Sequence, residues 1–374
     1  MIYPSLKLME TSNSNIYASD ALRRSDFITH ISPKLVINSF DMQHGVKFSF
    51  GSDHALYNRY TRENYTDIRT SLSPYWQITR SSRIEARLAY DREHDARTAE
   101  AASNNIGAEE PVRWGQHGGR LAWQYKPGRA GLETFYQYQL RRHENVASLD
   151  NTMRFVNDDR DRTEQQLGAV LGYDVTDQRQ VFLSLKTISR DYKRADYLND
   201  TMAYDGPKRD SDAVDLRAGT GIDLTPLFLM TMEAGLYHQQ FSDTRLNDVQ
   251  QAVGRIKATW QVTALTTIDV GAQRDVYETI QPEASAFTQN RMNVQVMHEL
   301  RRHVLVGVEA ATGWHDYAGS TRKDEFWGAG PQIIYKMNKH LAWKTGYLFD
   351  TRSSNQIAAD YTRHRLFSAL EVKF

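Results

Sequence analysis

The sequence predicts an all-β chain folded as a single transmembrane antiparallel up-and-down β-barrel of about 18 strands, with 16 the alternative count. Three observations carry this. Apolar and polar residues alternate nearly everywhere, which is the period of a strand whose two faces meet different surroundings. Connections between the alternating segments are short and long by turns, as in a barrel with tight periplasmic turns and extended extracellular loops. No stretch approaches the roughly 18 apolar residues of a membrane helix, since the most apolar run, "LTPLFLMTM" at 224–232, is about half that and holds a proline.

The strands follow in chain order. "VKFSF" from Val46, "RIEARLAY" from Arg83, "LETFYQYQL" from Leu132, "VFLSLKT" from Val181, "VDLRAGTGIDL" from Val214 and "IKATWQV" from Ile256 each read apolar, polar, apolar. So do "TIDVGA" from Thr267, "MNVQVMHEL" from Met292, "HVLVGVEA" from His303, "PQIIYKM" from Pro331 and "LAWKTGYLF" from Leu341. The closing "RLFSALEVKF" puts Leu366, Ser368, Leu370, Val372 and Phe374 on one side and Arg365, Phe367, Ala369, Glu371 and Lys373 on the other. A lipid-facing and a wet face on every strand explain a mean hydropathy as low as −0.63. Twenty Tyr, 14 Phe and 7 Trp supply the aromatic girdles that both membrane interfaces demand.

Short connections are read at "FDMQ" near Asp41, "TRSS" at Thr79, "KPGR" at Lys126, "VTDQR" at Val175, "LTPL" at Leu224, "VTAL" at Val262, "LRRH" at Leu300 and "KMNKH" at Lys336. Long polar ones are read from Arg92, from Arg141 and from Tyr192. About eight turns and nine loops place both termini on the periplasmic side. A soluble sandwich of this length would need several cores joined by linkers, and a propeller would repeat a motif per blade; neither is visible. Bulky apolar faces (Trp123 with Tyr125; Trp343, Tyr347 and Phe349) also favour lipid.

Residues 1–374 therefore read as one outer-membrane domain in mature form, the start "MIYPSLKL" lacking a signal-peptide pattern. Lys plus Arg equals Asp plus Glu at 46 each, so net charge suggests no nucleic-acid partner. Without cysteine, thiolate metal sites and disulfides are excluded.

Parity assigns the inner face: Lys47, Arg69, Glu85, Arg87, Gln124, Glu133, Gln137, Lys186, Arg217, Asp223, Arg255, Lys257, Asp269, Gln295, Glu309 and Lys344 are the expected pore lining. Its mixed charges and amides suit a hydroxyl-rich solute such as a glycan, although charges paired across strands would also serve merely to solvate the wall. Catalysis is not expected. The nearest local motif, "WHDYAGS" with His315, Asp316 and Ser320, puts adjacent residues on opposite faces of a strand, and "REHDAR" at His94 has the same defect. The acids of "NDDRDR" at Asn157 lack the spacing of a calcium loop and read as solvated, or bridged by divalent ions to lipopolysaccharide; no metal or cofactor is expected.

"LKLMETSNSNIYAS" followed by "RRSDFITHISPKLVINS" resembles the opening of a family of outer-membrane β-barrel porins encoded in exopolysaccharide and capsule synthesis clusters. The matching residues are Ser14, Asn15, Ile16 and Tyr17, then Ser25, Asp26, Ser32, Pro33 and Leu35, with echoes in "SLSPYWQI" at Ser71 and "GAGPQIIY" at Gly328. Pro33, Pro74 and Pro331 are expected to mark tolerated bulges. The resemblance implies a conduit for a nascent exopolysaccharide or capsular polysaccharide, working with a periplasmic polysaccharide-export protein and an inner-membrane synthesis system that supply the periplasmic part. Leu370, Val372 and terminal Phe374 resemble the C-terminal signal read by the outer-membrane barrel-assembly machinery. The alternatives are a general or oligosaccharide-uptake porin, a protein-secretion barrel and a barrel enzyme.

Overall fold

A computed structural model describes residues 1–97, 107–150, 152–198, 201–225, 227–281, 283–356 and 359–374. Part of the loop read from Arg92, part of that from Tyr192 and the proline of "LTPL" lie outside the described residues.

Eighteen antiparallel strands form one closed sheet. The first seven are β1 (Ile2–Asn13), β2 (Asp26–Phe40), β3 (His44–Tyr57), β4 (Tyr65–Thr79), β5 (Ser82–His94), β6 (Arg113–Tyr125) and β7 (Ala130–His143). A small hairpin of β8 (Val146–Ala147) and β9 (Arg154–Phe155) stands apart in the following loop. The wall resumes with β10 (Arg162–Thr176), β11 (Arg179–Tyr192), β12 (Ser211–Thr225), β13 (Phe228–Phe241), β14 (Val249–Thr263) and β15 (Thr266–Glu278). It ends with β16 (Ala286–Arg301), β17 (Val304–Ala318), β18 (Lys323–Lys336), β19 (Leu341–Ser354) and β20 (Tyr361–Lys373).

Each strand pairs with its neighbours in sequence, and β20 pairs with β1 from Ser5↔Lys373 to Asn13↔Arg365, so the sheet has no free edge. A tilted strand needs about 9–11 residues to cross the hydrocarbon. These have from 12 in β1 to 16 in β16 and project beyond it. Turns of two to four residues alternate with nine loops, though the loop at 319–322 is no longer than the longest turns.

Side-chain chemistry builds the turns. Thr79, Thr176, Thr225 and Thr263 each end a strand at a register shift, and each hydroxyl accepts the N–H two residues on, of Ser81, Gln178, Leu227 and Leu265. Such a bond replaces a ladder bond where the chain reverses.

The family-like motif at the start ties the first loops down. The buried Asn15 side chain donates to Ser19 O and Thr362 O and accepts from Ser19 N–H. The buried Asp26 carboxylate accepts the N–H groups of Arg59 and Tyr60.

The prolines do not mark bulges, contrary to expectation. Register is unbroken from Ile31↔His54 to Lys34↔Gly51, from Leu72↔Leu88 to Tyr75↔Glu85, and from Ala329↔Phe349 to Gln332↔Gly346. Two pairs drop out of one ladder at each site while the other ladder continues through Leu6↔Pro33, Val46↔Pro74 and Val308↔Pro331. A proline lacks one donor, and a wall bonded on its other side tolerates that loss without inserting a residue.

The candidate channel lumen

Contacts between strands that are not neighbours identify the inner face, because a side chain reaches such a partner only through the barrel. Arg217 of β12 binds Asp275 of β15 at 2.8 Å, as well as Asp215 at 2.7 Å and Glu233 at 3.0 Å. Arg190 of β11 and Arg162 of β10 reach Glu278 of β15 at 2.8 and 3.2 Å, and the Tyr192 hydroxyl donates to the same carboxylate. Arginine serves these nodes because its planar fork holds several carboxylate oxygens at once. Alternate residues, such as Leu121, Trp123, Leu167, Leu171, Leu216, Trp260 and Trp327, form the outward apolar face and are exposed.

Glu278 reaches across because β15 leaves its neighbour. The β14–β15 ladder stops at Gly254↔Arg274, and the residues of β15 beyond Arg274 have no ladder partner in β14. Arg274 stitches the seam, donating to Ala252 O at 3.0 Å, Gln251 Oε1 at 2.8 Å and Asn290 Oδ1 at 2.7 Å. Val276 packs on the buried Ile188, Ala213, Tyr237 and Val253. The inner face between β10 and β15 is thus filled near the extracellular end, and open cavities lie along β1–β6 and β16–β20.

By ladder parity, all of the expected lining residues fall on the inner face. Lys186 binds Asp215 at 2.9 Å, Arg255 binds Asp275 at 3.0 Å, Glu85 binds Arg83 at 2.6 Å and Arg69 binds Glu93. Glu133 accepts from Arg120 at 2.5 Å and from Gln124 at 3.0 Å, and Asp269 accepts from Thr259 at 2.6 Å. Among the described residues, the side chains of Lys47, Arg87, Gln137, Asp223, Lys257, Gln295, Glu309 and Lys344 make no hydrogen bond or ion pair, although Lys344 stands over the Phe367 ring. The wall therefore mixes cross-linked charges with groups left available to a solute.

Five amides form a patch on β6, β7 and β10. Gln137 faces Gln166 across one ladder; Gln139 faces Glu164, and Gln116 and Gln124 face Arg141 and Glu133. Nine strands away around the ring of 18, hence on the opposite wall, is an arginine-rich cavity of about 690 Å³ lined by Arg291, Arg352, Arg363 and Arg365. Its basic residues were legible only in part. "RHRLF" shows Arg365 on the wet side of the last strand, but Arg291 and Arg352 join it only when the ladders bring β16, β19 and β20 into one wall.

His315 faces inward, where its ring bonds Gln289 at 2.8 Å, while Asp316 lies opposite Lys323 on the other parity and Ser320 lies in the following loop, accepting the Arg322 N–H. No triad assembles from them. His94 bonds Asp67 at 2.9 Å and stacks on Tyr65.

The acids of "NDDRDR" are not simply solvated; they clasp the extracellular loops. Asp158 binds Arg194 at 3.0 Å and accepts from the Tyr204 hydroxyl, Asp159 accepts the Tyr197 N–H, and Arg160 binds Asp95 at 2.6 Å. Asp161 accepts the His143 N–H at 2.7 Å. Burial raises the Asp159 carboxyl to about 6, its Tyr197 hydrogen bond opposing the shift and nearby Asp196 reinforcing it.

A family model described as "Putative beta-barrel porin 2" matches residues 1–374. No curated protein matches the chain in sequence. Among solved structures it is similar to OccK9 (OpdG) of Pseudomonas aeruginosa, at 10% identity and a TM-score of 0.53 over 100% of this chain and 98% of that one. The outer membrane protein opdK from Pseudomonas aeruginosa gives 10% identity and 0.51, over 100% and 99% of the two chains. The siderophore receptor PirA from Acinetobacter baumannii gives 6% and 0.52, over 100% and 80%. At these identities the likeness is one of fold.

Proposed function

The chain belongs to the porin family whose model spans it, an integral outer-membrane β-barrel and porin-like channel, and from that premise we propose that its solute is a polar glycan, carried outward as an exopolysaccharide or capsular polysaccharide. A barrel of this strand number is wide enough to hold an aqueous path. The observation that carries the glycan reading is the amide patch of Gln116, Gln124, Gln137, Gln139 and Gln166. Each amide offers both a donor and an acceptor, the pair a sugar hydroxyl needs, and Gln137 and Gln139 have no side-chain partner among the described residues. Hydroxyls exchange between such groups without any one contact holding tightly, and conduction requires that weakness.

Export by this route needs a periplasmic polysaccharide-export protein and an inner-membrane synthesis system to deliver the chain. Leu370, Val372 and Phe374 are the segment the barrel-assembly machinery reads, and the polar loops meet lipopolysaccharide. Deleting the protein in a polysaccharide-producing host tests the reading. Periplasmic retention of polymer with its loss from the surface is expected; unchanged surface polymer together with lost uptake of small sugars would favour an uptake porin.

A further inference from the structure

We propose that the arginine-rich concavity on the β16–β20 wall is a binding site for the carboxylate of an acidic sugar unit, so that the glycan handled by this lumen is anionic. This rests on the conduit reading and narrows it.

The cavity is shaped by what its floor lacks. In one row across the wall, Arg291 faces Gly313, Gly313 faces Phe326 and Phe326 faces Arg352. In the next, Asn293, Ala311, Gly328, Asp350 and Arg363 follow one another. Gly313 and Ala311 on β17 and Gly328 on β18 thus leave a hollow between Arg291 on β16 and the arginines of β19 and β20. Its volume, about 690 Å³, lies in the range of small-molecule sites.

Charge pairing inside the hollow is incomplete. Arg352 is buried and donates to Ala359 O, and the guanidinium groups of Arg291, Arg363 and Arg365 face two acids, Glu309 and Asp350. Asp350 is shared by Arg363, at 2.7 Å, and Arg365, at 3.0 Å, which fixes both arginines but leaves most of their N–H groups uncommitted. The Arg365 Nε is buried without a partner. Arg291 has no ion pair or hydrogen bond among the described residues and stands 5.8 Å from the Phe326 ring centroid. A planar carboxylate takes two parallel N–H bonds from one guanidinium, and Gln289, Asn293 and Gln295 beside it supply amides for the ring hydroxyls. A neutral sugar would leave Arg291 without a counter-charge.

The test is calorimetric titration of the refolded full-length protein in detergent with tetragalacturonate, maltotetraose and inorganic phosphate. Tetragalacturonate should bind at least tenfold more tightly than either of the others. Replacing Arg291, as R291Q, should weaken it about tenfold, the scale of one charge-assisted hydrogen bond. The double variant R291Q/R365Q, in which Asp350 keeps Arg363, should lose more. Lys339→Gln, which removes an equal charge from the exposed turn between β18 and β19, should change it less than twofold. Equal binding of maltotetraose, or an unchanged affinity in R291Q, overturns the proposal, and equal binding of phosphate reduces the hollow to a simple-anion site. Should the double variant fail to fold, R291Q decides alone, since Arg291 has no partner to lose. Tetragalacturonate binding to a barrel that conducts nothing would remove the conduit reading and leave only the carboxylate site.

Discussion

At the residue scale, the division between paired and unpaired charge decides what each inner group does. Arg217, held by three carboxylates, is wall; Lys257 and Arg291, held by none, are available to a solute. The clasp at Asp159 adds a pH dependence. Its carboxyl, pushed up to about 6 by burial, favours the proton more in the folded loops than in an unfolded chain. The loop cluster therefore gains stability as pH falls from above 6 toward about 4 and loses it as pH rises through 6, by an amount of order 1 kcal/mol. Hydrogen exchange of the Tyr197 amide, corrected for its intrinsic rate, should be better protected at pH 5 than at pH 7.5. Asp159→Asn should abolish that difference, and a difference retained in the variant would assign the effect elsewhere.

At the element scale, alternation made nearly every strand, turn and face legible, because a two-residue period permits one assignment of faces once lipid is on one side. Three features were not legible for physical reasons. Pro33, Pro74 and Pro331 look like bulges in sequence, but an intact ladder on the other side of each strand keeps the register. The infolding of β15 depends on where a ladder stops, and no local pattern of "DVYE" encodes that. Arg291 and Arg363 are far apart in sequence and come to line one hollow only through the successive ladders from β16 to β20. The last strand makes its own prediction. Phe374 is 71% exposed and its N–H donates to Pro4 O, so its ring contributes little to the folded wall. Phe374→Ala should cut the yield of folded protein in cellular outer membranes several-fold while leaving refolding into detergent unchanged; equal loss in both assays would make Phe374 a stability residue.

At the scale of the whole molecule, the barrel is a ring of unequal walls: filled near its outer end between β10 and β15, amide-rich on β6–β10 and arginine-rich across from it. Unpaired cations on the inner face predict a field that favours anions, and Lys257→Glu, which breaks no existing pair, should move the reversal potential in a salt gradient toward cation selectivity. An unmoved potential would place Lys257 off the conducting path. The central claim, a lumen that passes a polar glycan, is tested most directly by single-channel recording of the refolded protein in planar bilayers with and without long oligosaccharides. The account predicts stable openings interrupted by glycan blockades, longer for acidic chains than for neutral ones of equal length. A fully inserted barrel that stays silent would contradict it.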